Sequence, residues 1–239
     1  MAENEKQDAP QKQKKEGRPP QEGKREGKGE AKGQREGKGG KPKEADEPTG
    51  PKETPRLQKM FRETVAQKTM QEFGLKNVNQ LPKLKKIVVN CGVGKFLENQ
   101  KLKPEIRDTV ISTLTTITGQ RPVMVLAKKS VANFKVREGA PSSFVVTLRS
   151  DRMWSFLDRL MNLAIPRIKD FRGVKDTAFD KGGNYSMGLS EQAVWPEINM
   201  ATVNFNHGMN INIAFENSNP KMSRFVLQEM GMPFVRPED

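Results

Sequence analysis

From residue 56 onward the apolar positions recur at spacings that switch between helical and extended. Leu57, Met60, Phe61, Val65 and Met70 fall on or near one face of a helix predicted over 57–73, which Gly74 stops. Residues 84–91 read as a strand. Pro104 opens a second helix carrying Ile106, Val110, Ile111, Leu114 and Ile117, and Gly119 ends it. Strands are predicted at 122–127 and 143–149. Ser150 is then expected to cap a third helix, whose Met153, Phe156, Leu157, Leu160, Met161 and Ala164 keep helical spacing until Pro166 ends or kinks it. Residues 167–199, with Gly173, Gly182, Gly183, Gly188 and Pro196, read as irregular. A strand over 209–215 and a short helix over 220–230, followed by Gly231, complete the series. The expected fold is a single α+β domain over 56–239: an antiparallel-rich sheet with helices packed on one face.

Residues 1–55 contain no Val, Ile, Leu, Phe, Tyr or Trp and repeat the motif REGKG at Arg25 and Arg35. Nothing there offsets the entropy of ordering a backbone, so the segment is expected to be a disordered charged tail. It carries 14 Lys/Arg against 12 Asp/Glu, whereas residues 56–239 carry 28 against 17. The chain's net charge of +13 therefore belongs mostly to the folded part. A surface this basic points to a polyanion, with nucleic acid favoured over membrane. Cys91 is the only cysteine, so the chain holds no internal disulfide and a reducing compartment is expected. No apolar run is long enough to span a bilayer, and the N-terminus lacks the apolar core of a secretion signal. The expected location is cytoplasmic.

Strand alternation separates a core side from an outer side. Ile87, Val89 and Cys91, then Phe144, Val146 and Leu148, then Met209, Ile211, Ile213 and Phe215 point inward. The outer face receives Lys86, Asn90, Thr147, Arg149, Asn210 and Asn212. Asparagine is disfavoured inside strands, so three such positions need a reason. Amides and hydroxyls both donate and accept, and can bond base edges and 2′-hydroxyls in the shallow minor groove of folded RNA. A water-facing sheet is the plain alternative.

Between the strands at 122–127 and 143–149 lies a long loop with Lys128, Lys129, Lys135 and Arg137 around Phe134. It reads as a positive finger on a rigid base, able to attract phosphate and stack a base. A solvated hairpin loop is the competing reading.

Enzyme motifs are weak. Gly92-Val93-Gly94-Lys95 follows a strand, but lacks the third glycine of a dinucleotide fingerprint, and Phe96 stands where a P-loop needs Ser or Thr. It reads better as a glycine-permitted bend. With one histidine, His207, and one cysteine, no metal site or other cofactor is expected. A Cys91–His207 nucleophile pair is formally possible, but Cys91 falls in the buried phase and no orienting third group is evident. Trp154 falls among core positions; Trp195 could be core or surface. No enzymatic activity is expected.

Several ordered segments resemble one family. They are KKIVVNCGVG at 85–94, TGQRP at 118–122, KKSVANFKVR at 128–137, VTLR at 146–149, RMW at 152–154, PRIKDFRG at 166–173 and GNYSMG at 183–188. Together they make the chain from about 56 to 236 similar to the bacterial-type large ribosomal subunit protein L-five family, the 5S rRNA binders. The resemblance implies a place in the central protuberance, with 5S rRNA, 23S rRNA, the P-site tRNA, neighbouring central-protuberance proteins and a small-subunit head protein as partners. It places 5S-contacting side chains at Asn90, Gln120 and Thr147, with Lys86 and Arg149 beside them. It places the tRNA-facing loop at Lys128, Lys129, Phe134, Lys135 and Arg137. Asn133 stands where the family usually has glycine; asparagine tolerates a left-handed backbone, so the loop shape is expected to survive. A free-standing RNA-binding regulator is the alternative function, although the chain lacks the aromatic pattern that recognition-motif sheets use for stacking.

Overall fold

The computed structural model describes residues 53–201, 203 and 205–235; most of the tail expected over 1–55, up to residue 52, lies outside them. Five antiparallel strands form the main sheet in the order β4-β5-β1-β7-β6. They are β1 (Lys83–Gly92), β4 (Val123–Leu126), β5 (Pro141–Leu148), β6 (Tyr185–Leu189) and β7 (Met209–Glu216). A small hairpin of β2 (Leu97–Glu98) and β3 (Lys101–Leu102) stands apart as a second sheet.

The predicted period of two is what β1, β5 and β7 show. Ile87, Val89, Cys91, Phe144, Val146, Leu148, Ile211 and Ile213 are all buried in one cluster with residues of the helices. The helices are α1 (Arg56–Met60), α2 (Ala66–Phe73), α3 (Pro104–Thr118), α4 (Ser150–Arg159) and α5 (Pro220–Glu229). α3 contributes Val110, Leu114 and Ile117, α4 contributes Met153, Phe156 and Leu157, and α5 contributes Val226 and Leu227. Helices over one face of an antiparallel sheet leave the other face to water or a partner.

Local signals set the helix ends. Gly74 and Gly119 take left-handed torsions (φ 60° and 67°), and the Gly119 amide closes on the Thr115 carbonyl at 2.8 Å. Ser150 behaves otherwise than predicted. It makes no side-chain cap bond and starts α4 in a left-handed conformation, φ 53°, turning the chain out of β5. The predicted helix over 57–73 contains a π-helical turn, Phe61–Val65, between α1 and α2. That turn shifts the buried face, so Leu57 and Val65 are buried while Met60 is exposed. A second π turn, Leu160–Ala164, extends α4, and Pro166 sits in the 3₁₀ turn that ends it.

The stretch read as irregular, 167–199, holds edge strand β6 and two large core residues. Tyr185 is fully buried and donates from its hydroxyl to the Lys175 carbonyl at 2.8 Å. Trp195, ambiguous in sequence, is also fully buried and stacks on Phe156 with centroids 5.2 Å apart. Trp154 packs on Phe61 at 5.4 Å, a core role as expected.

Candidate nucleic-acid interface

On the helix-free face, register places the polar side chains in rows. Thr147 lies opposite Val88, Val88 opposite Asn212, and Asn212 opposite Ser186. In the next row Val123, Val145, Asn90, Asn210 and Gly188 follow one another from β4 to β6. Asn210, Ser186 and Gly188 are exposed, while Asn90, Thr147 and Asn212 are half-buried. Lys86 is half-buried opposite Ala214, beyond a bulge at Lys85, and Arg149 is exposed where β5 ends. Among the described residues no helix buries Asn90 or Thr147.

Two features of this face bear on what it could bind. The Asn90 side-chain oxygen is sealed from solvent and has no hydrogen-bond partner among the described residues. An unpaired acceptor of that kind costs about 1–3 kcal/mol, a cost that is removed when the half-buried amide turns its oxygen outward to a donor on this face. Gln120 is brought beside Thr147: with its nitrogen turned inward, its amide donates to the Thr147 carbonyl at 3.1 Å and accepts from Arg152 Nη1 at 3.2 Å. Gln120 thus braces the edge of the face as well as lining it.

The expected residue set missed Ser186, Gly188, Val123 and Val125. Val123 and Val125 belong to an edge strand whose four residues are all exposed, Val123 at 67%. Tyr185, Met187 and Leu189 alternate inward and signal β6, but the neighbouring glycines obscured that short pattern.

The basic loop is ordered from its base outward. Ala127 and Ala140 pair at 2.8 Å, and Val131 and Val136 close a small bridge around a 3₁₀ turn, Ala132–Phe134. The left-handed residue there is Lys135 (φ 50°), so Asn133 meets no left-handed demand. Lys128, Lys129, Lys135 and Arg137 are exposed, and none forms a salt bridge with a described residue. Phe134 is 78% exposed. Gln100, in the β2–β3 turn, grips the finger from outside: its amide donates to the Lys135 carbonyl at 2.5 Å and accepts from the Arg137 amide at 2.9 Å. Nothing in the sequence pattern linked Gln100 to this loop.

Cys91 and His207 do meet, with Sγ 3.3 Å from Nδ1, and both are buried. Burial pushes the thiol up to about 11 and lowers the imidazole from its ordinary value. The pair is a protonated thiol beside a neutral ring, opposite to the thiolate–imidazolium of a nucleophilic site. Gln192 bonds the His207 backbone amide at 2.5 Å rather than its ring. Among the described residues no cluster could hold a metal ion, and no helix is long and apolar enough to cross a membrane.

Comparison with known proteins decides the family. The profile of ribosomal protein L5 matches residues 77–137, and the profile of the same ribosomal family's C-terminus matches 141–234. Large ribosomal subunit protein uL5 of Synechocystis sp. is 46% identical over 181 residues, 76% of this chain and 98% of that protein. The chain belongs to the uL5 family. Family proteins of the same name from Microcystis aeruginosa and Corynebacterium diphtheriae are each 46% identical, over 75% and 77% of this chain and 98% and 96% of theirs. The two profiles meet at the finger, so the sheet face and the loop both lie within family sequence.

Proposed function

We propose that the chain is a non-catalytic, cytoplasmic constituent of the large ribosomal subunit that binds 5S rRNA through the outer face of its sheet. Lys86, Asn90, Gln120, Thr147 and Arg149 form that contact. Through it the protein attaches 5S rRNA in the central protuberance, beside 23S rRNA and neighbouring proteins. Lys128, Lys129, Phe134, Lys135 and Arg137 reach the P-site tRNA, and a further surface bridges to a protein of the small-subunit head.

The observation that carries this reading is the Asn90 oxygen, an orphan acceptor within a lattice of amides on the helix-free face. In an RNA minor groove the available donors are ribose 2′-hydroxyls and the guanine 2-amino group. Neutral groups of this kind select a folded groove, whereas cations alone would hold any phosphate backbone. Separation of the amide face from the cationic finger supports two distinct RNA partners.

The test is cofractionation with footprinting. The protein should sediment stoichiometrically with large subunits in high salt and protect one helical region of isolated 5S rRNA. A soluble pool free of subunits, with no 5S footprint, would replace this reading with that of a free-standing RNA-binding regulator.

A further inference from the structure

Gly92 ends β1 and Gly94 opens the 3₁₀ turn that follows, and the protein itself requires neither to be glycine. Neither has a left-handed φ, and a Cβ on either would meet no atom within 4 Å. The bend that glycine was expected to permit therefore makes no demand for it. Gly173 and Gly183 contrast with them, each combining a left-handed φ with neighbours closer than 3.0 Å. Glycine that neither torsion nor internal packing needs points to close approach by something outside the protein.

Both glycines line one cleft of about 580 Å³ at the end of the sheet. Phe96 and His207 also line it, Phe134 comes from the finger, and Lys95 is exposed beside them. Phe96, Phe205 and His207 form a continuous ring row, with centroids 5.0 and 5.7 Å apart. Among the described residues no carboxylate lines the cleft. Lys135 and Arg137 flank Phe134 and Val136, and Gln100 fixes the backbone that carries them.

We infer that this cleft receives an unstacked nucleotide of an RNA strand held by the finger. The base lies against Phe134 and over the bare backbone of Gly92 and Gly94, whose peptide groups face its edge. The phosphates lie toward Lys95, Lys135 and Arg137. An exposed aromatic, accessible peptide groups and nearby cations suit a base with its phosphate, and an acidic or purely apolar peptide would use only part of that set. A paired base cannot enter, because its edge and both faces are occupied within the duplex. The inference rests on the RNA-binding reading of the finger and adds a subsite to it.

The test uses the full chain at physiological salt with three probes: a short single-stranded RNA carrying a central 2-aminopurine, intact 5S rRNA, and a free nucleoside monophosphate. Gly94→Val fills the cleft from a position with open space, and Phe134→Ala removes an exposed ring, so both variants should melt like the parent. Each should weaken the single strand about tenfold and abolish the quenching of 2-aminopurine, while Phe134→Tyr keeps both. Affinity for 5S rRNA should stay within about twofold, since the sheet face is untouched. Unchanged single-strand affinity and quenching in both variants would overturn the subsite, whatever 5S rRNA does. Loss of 5S binding in the parent would instead overturn the sheet-face reading. A monophosphate binding more tightly than the strand, and displaced by Gly94→Val, would overturn the RNA source in favour of a free nucleotide.

Discussion

Cys91 Sγ and His207 Nδ1 meet at 3.3 Å in the core, linking the inward side of β1 to the segment entering β7. Both groups are held neutral by burial, which fixes the signs of their pH dependence. The His207 pKa lies below its unfolded value, so as pH falls through about 6.5 the unfolded chain binds the extra proton first and stability drops. Cys91 titrates near 11 when folded, so stability falls again as pH rises above the unfolded value of about 8.5 and until the folded value is reached. Each linked proton contributes about 1.4 kcal/mol per pH unit at most. Denaturant midpoints should form a plateau near pH 7–8, with Cys91→Ser flattening the alkaline limb. Native protein should resist alkylation by iodoacetamide, and the thiol should react once unfolded; rapid native labelling would contradict this burial.

Asn90 and Thr147 are diagonal neighbours on β1 and β5, since Asn90 faces Val145 and Thr147 faces Val88. Asn90→Ala or Thr147→Ala should weaken 5S rRNA binding by about 1–3 kcal/mol, leaving an RNA donor unpaired. Asn90→Ala should also leave folding stability unchanged or slightly raised, because it removes the protein's own unpaired buried oxygen. Gln120→Ala should do the opposite on stability, since it strips partners from the Thr147 carbonyl and Arg152. Filter binding and thermal melts on the three variants separate the roles. Full 5S affinity in both Asn90→Ala and Thr147→Ala would remove the sheet face from the binding site.

The elements legible in the sequence were those with long, clean periods. β1, β5 and β7 alternate over eight or more residues, and each side of that alternation settles where Ile87, Asn90, Thr147 and Asn212 point. β6 escaped because its five residues include Gly188 and sit among Gly182 and Gly183, so composition masked a period of two. Trp195 is undecidable from sequence because a lone aromatic in a loop carries no period; its stacking partner Phe156 lies on a helix distant in sequence. For the same reason the grip of Gln100 on the finger is unreadable, and the Cys91–His207 pair is open to the sequence only as a formal possibility. They join residues 35 to 116 positions apart, and pairing at that range comes from topology rather than local pattern.

The finger's cations and its brace can be tested separately. Replacing Lys128, Lys129 and Lys135 together by Ala should spare 5S binding and weaken tRNA placement in reconstituted subunits. The slope of log affinity against log salt for that contact should fall by about 2, given roughly 0.7–0.9 per phosphate neutralised. Gln100→Ala keeps every cation but removes two hydrogen bonds that hold Lys135 and Arg137. It should leave the salt slope intact, lower tRNA affinity modestly, and speed amide exchange at Arg137 by severalfold. Exchange at Arg137 unaltered by Gln100→Ala would show that the β2–β3 hairpin does not steady the finger.

Gly173 offers the sharpest contrast with the glycines at the end of β1. Its φ is 113°, and a Cβ there would lie 2.8 Å from the Val235 backbone. That approach exists because Val174 and the C-terminal segment exchange hydrogen bonds, from the Val174 amide to the Pro233 carbonyl at 2.8 Å and from the Val235 amide to the Val174 carbonyl at 3.1 Å. Gly173→Ala meets both a disfavoured torsion and a backbone that cannot retreat without breaking those bonds. It should cost on the order of 1–3 kcal/mol and loosen the Phe234 ring from Tyr185, which it meets edge-on at 5.8 Å. Gly94→Ala, with ordinary torsion and open space, should change stability by less than about 0.5 kcal/mol. Equal destabilisation of the two variants in urea melts would mean that Gly94 serves the fold after all, and the case for an outside group against it would be lost.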